Sequence, residues 1–244
     1  MELEGRKALV TGGSRGIGRA ICVALAAAGV SVTFTYRDAA AAEETRAAIE
    51  SAGGKCLPLE AEMRDRNRTP DVVKTASGDD GRLDILVLNA GTTGPGTHRD
   101  ISLDEWDRVI DVNLGAAFRY AKAGLECLAD GGSILFIGTT AALQGVGPAH
   151  YVTAKAALLG LSRALAREVA ARKITVNILT PGFVDTAFHG PSPFRDIVRH
   201  EVSLRVPLGR MATPGEVAEA ALALIRNPYI TGSSLAVAGG AVMT

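Results

Sequence analysis

Most strand-forming stretches of this 244-residue chain are continuous apolar runs rather than alternating ones, and that pattern restricts the fold more than any other feature. Ile85–Leu88, for example, reads Ile-Leu-Val-Leu. A strand with one face in water alternates apolar and polar residues. An unbroken apolar run belongs to a sheet covered on both faces, which means parallel strands joined by crossover helices. Strands are expected at Lys7–Thr11, Ser31–Tyr36, Lys55–Glu60, Ile85–Asn89, Ser133–Gly138, Thr175–Thr180 and Ser234–Ala238. Helices are expected at Gly16–Ala28, Ala39–Ala52, Leu103–Ala129, Ala149–Arg172 and Pro214–Arg226. The polar stretch Asp65–Gly81 fits a helix and loop between two strands. The alternation predicts a doubly wound α/β fold with about seven parallel strands and helices on both faces. No linker, repeat or low-complexity block divides it, so residues 1–244 read as a single domain.

Composition excludes some partners. Lys plus Arg and Asp plus Glu both number 26, so formal net charge is zero and no basic excess suggests nucleic acid or an anionic membrane. No apolar run approaches the ~18 residues of a membrane span. The start of the chain carries no basic segment followed by an apolar one, which argues against a signal peptide. Cys22, Cys56 and Cys127 are scattered, which fits neither a disulfide framework nor a zinc site and suits a reducing cytoplasm. All three are expected to be small buried hydrophobes.

The first strand runs into Thr11-Gly12-Gly13-Ser14-Arg15-Gly16-Ile17-Gly18 and then an Ala-rich helix. Gly12 permits a tight turn, Gly16 lets backbone approach a pyrophosphate, and Gly18 allows close helix–strand packing. The helix N-terminus offers free N–H groups and a positive dipole to phosphates. This strand–turn–helix order marks a Rossmann-type dinucleotide site. After the second strand, where an acidic residue would select a free ribose 2′-hydroxyl, the chain reads Tyr36-Arg37-Asp38. Arg37 and Arg15 suit a 2′-phosphate, so the expected cofactor is NADP(H). Asp38 is expected to cap the following helix.

Tyr151 and Lys155 lie at i, i+4 and share one helical face. A tyrosine near pKa ~10 is a poor acid at neutral pH, and a neighbouring ammonium together with an oxidised nicotinamide would lower it. Lys155 could also hydrogen-bond the nicotinamide ribose.

Taken together, the glycine loop, Leu88-Asn89-Ala90-Gly91, Asn113, Tyr151-xxx-Lys155 and Pro181-Gly182-xxx-Thr186 resemble the short-chain dehydrogenase/reductase family. The motifs follow the family's order and approximate spacing from Gly5 to Gly240. The resemblance implies that Tyr151 is the acid that protonates a carbonyl oxygen and that Lys155 lowers its pKa and binds ribose. It implies that Asn113 holds a water in a proton relay to Lys155. Asn89 and Gly91 would line the adenosine ribose, while Pro181, Gly182, Val184 and Thr186 would position the nicotinamide.

Three positions depart from the family pattern. Its usual serine, about thirteen residues before the tyrosine, is missing from Phe136-Ile137-Gly138-Thr139-Thr140. Counting back from Tyr151 gives Gly138, whereas counting along the strand gives Thr139, the preferred substitute; Thr140 stays open. The residue expected against adenine is Glu62, followed by Met63, where the family has Asp. Leu88 replaces the first Asn of Asn-Asn-Ala-Gly.

Within the family, residues 166–177 and 207–218 look most like 3-oxoacyl-thioester ketoreductases. Carrier-protein reductases use basic residues near the cleft, and Arg172 matches one of them. The other position, in Ala129-Asp130-Gly131-Gly132, has no positive charge, which argues against carrier docking. Segment 188–205 is the candidate substrate lid. His98, His150, His189 and His200 are expected at the surface or gating substrate rather than in catalysis, and Leu143, Phe183 and Phe188 are candidate pocket wall. The reading is ketone reduction with NADPH. The alternatives are alcohol oxidation and, from another class, a catalytically silent NADPH-binding regulator. Tyr229–Gly240 resembles a closing strand through which family members form homotetramers.

Overall fold

The computed structural model describes residues 2–189, 198, 200, 202 and 204–243. Seven strands form one parallel sheet: β1 (Lys7–Val10), β2 (Ser31–Tyr36), β3 (Lys55–Glu60), β4 (Leu83–Leu88), β5 (Leu128–Ile137), β6 (Thr175–Pro181) and β7 (Ser234–Val237). Their spatial order is β3-β2-β1-β4-β5-β6-β7, so the winding reverses between β1 and β4. Ala8 sits at that reversal, paired with Val32 on one side and Ile85 on the other. A crevice opens beyond the carboxyl ends of strands at such a switch point, and it is where ligands bind in sheets of this kind.

Eight α-helices lie among the described residues: α1 (Gly16–Ala27), α2 (Ala39–Ser51), α3 (Arg68–Ser77), α4 (Leu103–Ile110), α5 (Ala116–Cys127), α6 (Thr140–Gln144), α7 (Ala149–Glu168) and α8 (Pro214–Arg226). Two apolar layers hold them to the sheet. On one face α1 and α8 pack Ile21, Leu25, Val217 and Leu224 against Val10, Val32 and Val87. On the other, α3, α5 and α7 bring Val73, Tyr120 and Leu158 onto Leu86 and Phe136. Leu25 is fully buried, and its truncation to Ala would cost about 2–5 kcal/mol. The i, i+4 series Ile17, Ile21, Leu25 gives α1 its buried stripe. Gly29, at φ +82°, turns the chain out of it.

Four expectations need correction. The helix expected over Leu103–Ala129 is interrupted by a π-helical turn, Asp111–Gly115, and ends at Cys127. The turn is held by Asn113, whose amide donates to the carbonyls of Val109 and Thr92. β5 begins at Leu128, five residues early, with a register irregularity opposite Leu83/Ile85. The last expected turn of Ala149–Arg172 is a separate 3-10 segment, Ala170–Arg172. Finally, only Cys22 is fully buried, because Cys56 lies at the edge strand β3 and Cys127 at the end of α5. No described helix is long and apolar enough to cross a membrane.

Candidate active site

A cavity of about 940 Å³ runs along the carboxyl ends of the strands. Its floor at one end is the glycine loop. Gly16 adopts φ +55°, a conformation that a side chain would strain. At Gly18 an added Cβ would collide with the Gly12 carbonyl oxygen and lie 2.5 Å from Asn89 Nδ2. The loop is fixed from both neighbouring strands: Gly12 N–H donates to Thr35 Oγ1 at 2.9 Å, and Asn89 Nδ2 donates to the Thr11 and Gly12 carbonyls at 2.9 and 3.0 Å. Asn89 therefore clamps the loop as well as lining the cavity. α1 begins without a side-chain cap, which leaves its first N–H groups for an anion. These features suit a dinucleotide pyrophosphate.

Every cofactor residue expected from the sequence lines this one cavity: Gly12, Ser14, Arg15, Gly16, Ile17, Gly18, Arg37, Glu62, Met63, Asn89, Gly91, Tyr151, Lys155, Pro181, Gly182, Val184 and Thr186. Arg15 and Arg37 stand at the end near β2 and β3. Arg15 meets Asp38 at 2.7 Å and Arg37 meets Glu62 at 3.4 Å, all four side chains being substantially exposed. Asp38 caps α2 as expected, accepting from Ala41 N–H, and that hydrogen bond leads in holding its carboxyl below the usual range.

At the other end Tyr151 and Lys155 project from the start of α7. Lys155 is 5% exposed, and its Nζ donates to the Ile137 carbonyl at 2.8 Å. Burial pushes its pKa down to about 8. Burial also raises the Tyr151 phenol, and the hydroxyl of Thr139 opposes that shift by hydrogen bonding to it. The Lys155 ammonium is directed at the β5 carbonyl of Ile137, one helical turn from the phenol. Thr139 also accepts the Ala141 N–H at 3.3 Å as the cap of α6, which leaves its own proton to donate. Thr140 is buried in the first turn of that helix and does not line the cavity.

Asn113 lies behind the cavity wall rather than on it, 1% exposed. Its amide bonds fix Thr92 from both sides, with Thr92 N–H donating to Oδ1 at 3.2 Å. A Cβ at Gly91 would sit 2.8 Å from Asn113 Oδ1 and 3.3 Å from Lys155 Nζ, so the bare glycine keeps a gap between them.

Phe188 lines the cavity, its ring centroid 6.1 Å from that of Tyr151. Leu143 and Phe183 do not line it. His98 and His200 are exposed, whereas His150 is completely buried, contrary to the surface placement expected for it. Segment 188–205 falls largely outside the described residues, as does the side chain of His189. Sequence reasoning missed Thr35, Thr92, Thr93 and Arg108 in the cavity wall. Thr35 had a signal, since it closes the strand beside the loop; Arg108 had none.

Comparisons with known proteins agree on the family and the fold. The family model described as enoyl-(acyl carrier protein) reductase matches residues 12–242. The 3-oxoacyl-(acyl-carrier-protein) reductase of Salmonella typhimurium is 39% identical over 248 residues, covering 100% of both chains. That of Escherichia coli is 40% identical over 251 residues, again covering 100% of both. Among solved structures, a short-chain dehydrogenase/reductase from Serratia marcescens matches with TM-score 0.91 and 38% identity, over 98% of this chain and 99% of that one. A short-chain dehydrogenase from Burkholderia cenocepacia, solved in complex with NADP, matches with TM-score 0.91 and 34% identity over 99% of each chain.

Proposed function

This chain belongs to the short-chain dehydrogenase/reductase family, and from that premise we propose that it is a single-domain, NADPH-dependent reductase converting a ketone to a secondary alcohol. The substrate is a 3-oxoacyl compound or another small carbonyl. The observation that carries the reading is that Tyr151, Lys155 and Thr139 line the same cavity as the glycine loop and the rest of the dinucleotide site. Two O–H groups line that cavity, with a buried ammonium one helical turn from the phenol, and a carbonyl oxygen is what such a set receives.

The glycine loop would hold NADPH, Arg15 and Arg37 would meet its 2′-phosphate, and the bound cofactor would supply the hydride. Thr139 donates a hydrogen bond to the carbonyl oxygen and polarises it. Tyr151 transfers its phenolic proton to that oxygen as charge develops there. Lys155, as ammonium, stabilises the resulting phenolate. Asn113 fixes the Thr92 backbone and faces Lys155 across Gly91, where protons can be returned to the tyrosine. Pro181, Gly182, Val184 and Thr186 form the wall opposite, with the Thr186 methyl beside Gly16. The same groups catalyse alcohol oxidation in reverse.

A free substrate fits the surface better than a carrier-bound one. Arg172 pairs with Asp130 at 2.9 Å and donates to the carbonyls of Leu125 and Leu128, so its charge is neutralised within the chain. The site of action is taken as cytoplasmic. A homotetramer is part of the same reading: β7 lies at the sheet edge, with Leu235, Tyr229 and Met243 exposed near it. Light scattering giving a monomer would remove that part.

The test is NADPH consumption with a small acetoacetyl thioester, with the same acyl group on an acidic carrier protein, and with bulkier ketones. Turnover of the free compounds at least as efficient as of the carrier-bound one supports the reading. Tight NADPH binding with no turnover of any ketone would favour the silent regulator.

A further inference from the structure

The helix that carries Tyr151 begins in an unusual way. Pro148 is the N-cap of α7 and has no side-chain acceptor, so the first N–H groups lack the cap that Ser, Thr or Asp would give. One of them is the backbone N–H of Tyr151 itself. It is taken up by the preceding side chain: Tyr151 N–H donates to His150 Nδ1 at 2.8 Å.

That hydrogen bond dictates the state of the imidazole. Nδ1 accepts, so it carries no proton, and in a neutral ring the proton must be on Nε2. Nε2 is buried without a hydrogen-bond partner, and it faces Glu105 Oε1 on α4 at 4.0 Å. Glu105 is held in turn by a two-pronged pair with Arg108, at 2.7 and 2.8 Å, and Arg108 donates to the Thr93 carbonyl in the cavity wall. The loop leaving β4 passes close to both groups at Gly94. A Cβ at Gly94 would collide with Glu105 Oε1 and stand 3.1 Å from His150 Nε2. A glycine gap, an anchored carboxylate and a buried imidazole thus meet directly behind the tyrosine.

We propose that His150 is a positioning residue for Tyr151: as the Nε2–H tautomer facing the Glu105 carboxylate, it caps the Tyr151 N–H and fixes the phenol relative to Thr139 and Lys155. The proposal rests on the reading of Tyr151 as the proton donor. The charged or titratable groups that face the imidazole are Glu105 and, through it, Arg108, both from α4; the side chain that acts on the phenol is Thr139. A protonated or Nδ1–H imidazole would oppose the Tyr151 N–H with another N–H, and the cap would be lost.

Two measurements test this. Long-range proton–nitrogen NMR of wild-type protein labelled at histidine nitrogen reads the tautomer directly, the His150 signals being those lost in His150→Asn. A neutral ring with its proton on Nε2 is expected, and a proton on Nδ1 overturns the proposal. Kinetics then reads the consequence. His150→Leu is expected to lower kcat at least about tenfold, because small misplacements of a reacting group are costly, while the KM for NADPH changes less than about twofold. The phenol pKa in the pH profile of alcohol oxidation should rise by about one unit. His150→Asn, whose Oδ1 can take the place of Nδ1, should recover kcat to within about threefold of wild type. Unchanged kcat and phenol pKa in His150→Leu overturn the proposal. If that variant fails to fold, the wild-type tautomer decides. If wild-type enzyme reduces no ketone, the reading of Tyr151 fails instead, and NMR still reports on the cap.

Discussion

The ammonium of Lys155 donates to the carbonyl oxygen of Ile137 at 2.8 Å, at the carboxyl end of β5 and out of contact with water. Desolvation disfavours its charged form, which is why its pKa falls to about 8. The sign of the consequence for stability follows. Between pH about 8 and 10.5 the folded chain has released this proton and the unfolded chain still holds it, so stability rises with pH in that window. Below about 8 the buried charge is a standing cost of roughly 3 kcal/mol. Cys22, Cys56 and Cys127, all raised from 9.0 chiefly by burial, act in the opposite direction at higher pH, so the comparison must be with a variant. Lys155→Met, measured without cofactor, should be more stable than wild type at pH 7, with the difference closing as pH approaches 10. A constant difference, or none at pH 7, would contradict this.

Thr139 lines the cavity with Tyr151 and Lys155, where the usual serine would reach the substrate oxygen. Thr139→Ser should keep kcat within about threefold. Thr139→Val should lower kcat by about two orders of magnitude, the usual effect of removing one donor to a developing oxyanion, and should also weaken the cap of α6 by about 1 kcal/mol. Thr140→Val should leave kcat nearly unchanged. The reverse pattern between 139 and 140 would transfer the role.

At the mouth of the cavity, Arg15 and Arg37 are paired with Asp38 and Glu62. Such exposed pairs are worth about 0–1 kcal/mol, while each guanidinium–phosphate contact is worth roughly 1.5–3 kcal/mol. The arginines should therefore exchange partners when a 2′-phosphate arrives. Arg37→Ala should raise the KM for NADPH by about 10- to 100-fold with little effect on NADH or kcat. Wild-type enzyme with a higher kcat/KM for NADH than for NADPH would refute the cofactor assignment.

The sheet was legible because most of its strands, such as Ile85–Leu88 in β4, are unbroken apolar runs, and β2 and β3 also occupy the residues expected for them. The glycine loop was legible because Gly16 and Gly18 answer to backbone needs that only glycine meets. Tyr151 and Lys155 were legible because helical spacing brings i and i+4 together whatever the surroundings. What escaped the sequence depends on contacts made far along the chain. The apolar spacing of Leu103–Ala129 runs on through Asp111–Gly115, and only the bonds of Asn113 to Thr92 and Val109 account for the π turn. His150 reads as a polar residue beside a site, and its burial follows from Glu105 and Gly94 on other segments. The cap that Thr139 gives α6 likewise distinguishes it from Thr140 in a way that counting could not.

The measurement that bears most directly on the central claim is NADPH consumption by wild-type and Tyr151→Phe enzyme with an acetoacetyl thioester, together with NADPH binding by both. The account predicts wild-type turnover, a loss of at least about a thousandfold in the variant, where the phenolic proton is absent, and equal NADPH affinity. Turnover that survives in Tyr151→Phe would contradict it.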